Sequence, residues 1–202
     1  VHELRATIAI VRRHIDRRFA LDFAMQFALV GAIGYIFAHV FAAPPIPILI
    51  CGTLAAASAA EREHAASLRR VSFFAMPLFG RQLARAHAIA PVLSALSIPL
   101  GYATGCALRG APLAPPAFGI LVLTAIVGAL VSLSSVFRDG VRAALYVGLA
   151  IAAAASLAIV AVVFPGHAFA ADATLAAIEG FFALRAFGET LARYDPLPAA
   201  IG

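Results

Sequence analysis

The 202-residue chain has no lysine, no asparagine, no tryptophan and only two cysteines. Charge is scarce too: Asp, Glu, Lys and Arg make up 12% of the residues, where soluble domains carry about 25%. Each shortage excludes something. Without lysine there is no G-x-x-x-x-G-K-[ST] phosphate loop, so the chain alone is not expected to hydrolyse ATP. Cys51 and Cys106 both fall inside apolar runs, which argues against a disulfide scaffold and reads as small buried hydrophobes. The six histidines (His2, His14, His39, His64, His87, His167) are scattered. His64 opens His-Ala-Ala-Ser-Leu, which lacks the second histidine of H-E-x-x-H, so neither a metal nor any other cofactor is expected.

What the chain does have is apolar surface. Hydrophobic residues are 63% of the sequence and the mean hydropathy is +0.96, against roughly 45–50% apolar for soluble domains. Disorder is excluded, since disordered chains are poor in such residues. A helical crossing needs about 20 apolar residues, so this length holds about six. The expected class is an all-α polytopic membrane protein with about six transmembrane helices.

Residues 1–19 carry Arg5, Arg12, Arg13, Arg17 and Arg18 with no uninterrupted apolar core, unlike a signal peptide. Leu4, Ile8, Val11, Ile15 and Phe19 recur every three or four residues, predicting an amphipathic helix in the membrane interface. The single transmembrane domain, residues 20–202, then follows. Its spans are expected at about 20–42, 46–61, 88–108, 117–137, 143–164 and 173–191, with a polar cytoplasmic loop at 61–88. Pro44, Pro45 and Pro47 separate the first two. The last segment contains Glu179, Arg185 and Glu189; it reads as a sixth crossing, with an interfacial helix as the alternative.

All fifteen basic residues are arginine. With the N-terminus inside, the cytoplasmic segments hold five (1–19), five (61–88), two (138–142) and two (Arg185, Arg193), fourteen in all, and only Arg109 lies outside. That asymmetry obeys the positive-inside rule. The isoelectric point near 10 is therefore a topology signal, and no nucleic-acid partner is expected. The missing lysine and asparagine read as codon bias of a GC-rich bacterial genome, which makes the bacterial cytoplasmic membrane the expected location.

Asp139-Gly140-Val141-Arg142-Ala143 superficially matches a phosphatidyltransferase signature. The arginine is misplaced, and 143–171 contains no acidic residue to hold the metal such chemistry needs. Gly101 and Gly105 form a G-x-x-x-G pair in the third span, suited to close helix packing within the chain or to a homodimer seam. The intramembrane polar residues that stand out are Asp22, Gln26, His39 and Glu179.

The richest stretch is Glu61-Arg62-Glu63-His64-Ala-Ala-Ser-Leu68-Arg69-Arg70-Val71, followed by Met76-Pro77-Leu78-Phe79-Gly80-Arg81-Gln82-Leu83-Ala84-Arg85. It resembles the region between the second and third helices of ABC-2 type (type-2 exporter) transporter permeases. Glu61 and Glu63 match the acidic helix end, Leu68 the short helix, Pro77 the proline, and Arg81 or Arg85 the basic position. The chain is short for that family, has arginine where lysine is usual, and leaves little room at 165–172 for the family's re-entrant helices. The resemblance implies a coupling helix at 62–72, with Leu68 and Val71 inserting into an ATP-binding-cassette subunit and Arg62, Arg69 and Arg70 meeting its acidic rim. It implies a homodimer or a pair with a sister permease, and export by alternating access driven by that ATPase. The alternative is a non-transport membrane scaffold whose basic loop only holds orientation.

Overall fold

In a bilayer, backbone polar groups must be satisfied within their own segment, so long apolar runs are expected to fold as helices. A computed structural model describes residues 8, 15, 17–39, 45–67, 81–133, 140–164 and 166–193. Seven helices are described: α1 Arg17–Phe37, α2 Pro45–Ser67, α3 Arg81–Ala95, α4 Ser97–Leu108, α5 Pro115–Leu133, α6 Gly140–Val163 and α7 Ala168–Arg193. There is no strand among the described residues. Three stretches are long and apolar enough to cross a membrane: Arg17–Phe37, Ala88–Leu108 and Pro115–Leu133. They mark the chain as a membrane protein. Ile46–Ser58 and Gly148–Val163 are shorter apolar helical stretches.

Local chemistry sets several boundaries. α2 and α5 both begin on proline, whose missing N–H costs nothing in the first turn. α4 ends in a Schellman motif around Gly110, whose φ is +80°. Gly110 N–H donates to Ala107 O at 3.0 Å and Ala111 N–H to Cys106 O at 2.9 Å, capping the last carbonyls. Pro91 lies inside α3 and Pro99 inside α4, and neither has an N–H for the carbonyl four residues back. The ladder still carries through the junction, with Leu96 N to Val92 O and Leu100 N to Leu96 O both at 3.2 Å.

Several element boundaries differ from the sequence expectation. The first helix ends at Phe37, five residues before the expected limit of 42. Arg17, Arg18 and Phe19 open α1 instead of closing a separate interfacial helix. Of that expected helix, only Ile8 and Ile15 are otherwise described, both exposed. α2 runs past Glu61 to Ser67, because Ala-Ala-Glu-Arg-Glu-His-Ala-Ala is made largely of good helix formers and charge does not stop a helix. α7 opens at Ala168, five residues before the expected 173.

α5 is the central helix, touching α2, α3, α4, α6 and α7, whereas α1 packs chiefly on α4. Close contacts give the helix directions. A Cβ on Gly119 would meet the Phe169 ring and one on Gly180 would meet Leu130, so α5 and α7 run parallel. Gly52 of α2 lies against both Ala154 of α6 and Thr124 of α5. A Cβ on Gly128 would sit 2.5 Å from Gly52 O, backbone against backbone. Such approach supplies the dispersion contacts that hold helices together where lipid removes the hydrophobic drive. The outward faces are apolar: Leu21, Met25, Leu29 and Ile36 form an exposed ridge on α1, and Ile178, Phe181 and Phe182 are exposed on α7.

Candidate functional site

Two places in the bundle hold residues with chemistry to offer. The first is where α2 ends and α3 begins. Glu61 and Glu63 occupy the last two turns of α2, and Arg81 is the first residue of α3, which packs against α2. Leu68, Arg69, Arg70, Val71 and Pro77 lie outside the described residues. The expected coupling helix at 62–72 is corrected in one respect: residues 62–67 continue α2 rather than opening a new helix. The nine residues after Ser58 extend α2 by about 13 Å beyond its apolar stretch, at 1.5 Å per residue.

Gly101 and Gly105 serve the intrachain seam, which corrects the dimer-seam alternative. A Cβ on Gly101 would strike Phe27 O, and one on Gly105 would strike Gly31 O, both on α1 of the same chain. That surface is already covered. Beside it, Cys106 Sγ donates to Gly34 O at 3.7 Å. Further along, Gln26 Oε1 lies 3.1 Å from Ser97 Oγ and 3.4 Å from Ser94 Oγ, joining α1 to the α3–α4 junction.

The second place is the buried face of α7. Asp172 is 0% exposed, and neither carboxylate oxygen has a hydrogen-bond partner. Glu179 stands seven residues on, only about 20° around the helix, so the two share one face. Its Oε2 is buried without a partner, while Oε1 lies 2.8 Å from Ser156 Oγ on α6. Ser156 Oγ also lies 2.7 Å from Ala153 O. Arg185 lies on another side of α7 and pairs with Glu189 at 3.1 Å. No group of three or more His, Cys, Asp or Glu placed to hold a metal occurs among the described residues.

No protein-family model, curated protein or solved structure matches the chain. Function must therefore be argued from these two places. An ionised Asp at a membrane helix centre costs about 2.5–3.5 kcal/mol on insertion scales. Each carboxyl group here leaves at least one buried oxygen unpartnered, so enclosing either in ionised form is costly. The expected last span begins at 173, one residue past Asp172, and so leaves that acid out. The signal was present: Asp172 and Glu179 sit at a seven-residue spacing within an otherwise apolar stretch.

Proposed function

We propose that this chain is the permease subunit of an ATP-binding-cassette exporter, with six crossings and both termini in the cytoplasm. The observation that carries this reading is the unbroken extension of α2 from its apolar stretch to Ser67. A stiff helix leaving the membrane with Glu61 and Glu63 in its last turns, beside the arginine-opened α3, is a lever that a partner's movement can drive. The helix directions support six crossings. α7 is 26 residues long, about 39 Å, and lies parallel to α5 over the interval from Phe169 to Gly180. A helix aligned in this way with a membrane-crossing neighbour crosses with it, despite its charges. Every arginine-rich segment then falls on one side, as the positive-inside rule requires. A separate ATPase subunit supplies the energy, by binding ATP differently in the two states of the permease pair.

The test is affinity purification of the tagged chain from native membranes, with partners identified by mass spectrometry. An ATP-binding-cassette ATPase is expected to co-purify, and Leu68→Asp is expected to remove it while membrane insertion persists. Deleting 62–72 is less clean, because it also shortens α2. Absence of any such ATPase, or equal recovery with Leu68→Asp, refutes the proposal and leaves the scaffold reading.

A further inference from the structure

We propose that Asp172, Glu179 and Ser156 form a proton-binding site inside the α5–α6–α7 bundle, in which both carboxyl groups hold a proton while these helices are closed. This inference does not depend on the exporter reading. It starts from the absence, among the described residues, of a counter-charge near the pair. α5 carries no ionisable side chain along Pro115–Leu133. On α6 the only ionisable residues are Arg142 and Tyr146, whose positions lie about 21 and 15 Å along the helix from Ser156. On α3, the third helix packed against α7, they are Arg81, Arg85 and His87, all within its first seven residues. α3 and α4 run opposite to α5, because the short turn 109–114 joins them, so that end of α3 lies toward the far end of α7. On α7 itself, Arg185 is committed to Glu189, and Arg193 is the final residue. His167, just before α7, is exposed.

The serine geometry gives a second, independent argument. A hydroxyl has one proton to donate, yet Ser156 Oγ lies 2.7 Å from Ala153 O and 2.8 Å from Glu179 Oε1. If the hydroxyl proton goes to Ala153 O, the Glu179 contact is completed by a carboxylic acid O–H donating to Ser156 Oγ. An ionised Glu179 would have to compete with a backbone carbonyl for the same proton. At Asp172, a neutral acid is the form that a fully enclosed site with no counter-ion among the described residues tolerates. Release breaks the carboxyl O–H bond and passes the proton to water. It therefore requires α7 to part from α5 and α6, so proton binding favours the closed arrangement and proton loss the open one.

The experiment is infrared spectroscopy of the full chain in lipid nanodiscs at neutral pH, reading the C=O stretch of protonated carboxylic acids. Two acid components are expected. Asp172→Asn removes one and Glu179→Gln the other. Ser156→Ala shifts the Glu179 component and leaves that of Asp172 in place. If Asp172→Asn fails to assemble, the wild-type spectrum together with Glu179→Gln decides. A wild-type spectrum without an acid band, or an acid band that survives Glu179→Gln unchanged, overturns the proposal.

Discussion

Replacing Gly105 should lift α1 from the bundle without unfolding the rest. A methyl group at this position would collide with Gly31 O, and would lie 2.7 Å from Tyr35 N and 2.9 Å from Gly31 C. All three are α1 backbone atoms, so no side chain can rotate away. Ordinary contact at about 3.4 Å requires α1 to withdraw by about 0.7 Å from Tyr35 N alone. Overpacking of this kind costs about 1–3 kcal/mol. Gly105→Ala is therefore expected to shift the docking equilibrium of α1 by roughly tenfold, and Gly105→Leu to undock it. The chain carries its own reporters. Cys106 lies beneath α1, 2% exposed and bonded to Gly34 O, three residues from Arg109 at the helix end. Cys51 is 0% exposed, and its neighbour Gly52 contacts α5 and α6. Maleimide labelling read by intact mass should modify Cys106 first in the variants and neither cysteine in the parent. Simultaneous labelling of both cysteines would mean global unfolding. Either that result or a protected Cys106 in Gly105→Leu refutes the reasoning.

Two further outcomes follow from the same packing. Gly128→Ala places a Cβ 2.5 Å from Gly52 O, in the seam of the central helix; thermal unfolding should come several degrees earlier, for about 1–3 kcal/mol lost, with Cys51 now labelled. Gln26→Leu removes the acceptor shared by Ser94 and Ser97. Ser97 keeps its 2.7 Å bond to Ser94 O, so the loss in a detergent unfolding titration should stay near about 0.6 kcal/mol, the average for interhelical bonds in membranes.

The relation between sequence and fold is clearest at α2 and α7. Hydropathy locates the apolar part of a helix but not the helix. Ala59 to Ser67 leaves the apolar run while keeping the residues that propagate a helix, so α2 outlasts its hydrophobic signal. At α7, the charges at Glu179, Arg185 and Glu189 blurred a boundary that Ala168–Ala171 and the turn before them set. The carboxylate site was half legible. Glu179 stood out as an intramembrane acid, but its partner across the seam, Ser156, is 23 residues away on another helix.

Composition and arginine placement by themselves determined the class of this protein. Apolar content demanded helices in a membrane, and the fourteen arginines expected on one side of it, against Arg109, implied their direction. Which helices touch was decided only in three dimensions, because every span offers lipid a similarly greasy face and small residues recur in several of them. The glycines of α4 suited packing within the chain or, less well, a second copy, and α1 lies against them. Tertiary packing also enclosed Asp172 and turned Glu179 toward Ser156. Burial and partnership, which set the energy of a carboxyl group, belong to neighbouring helices and not to the segment that carries it.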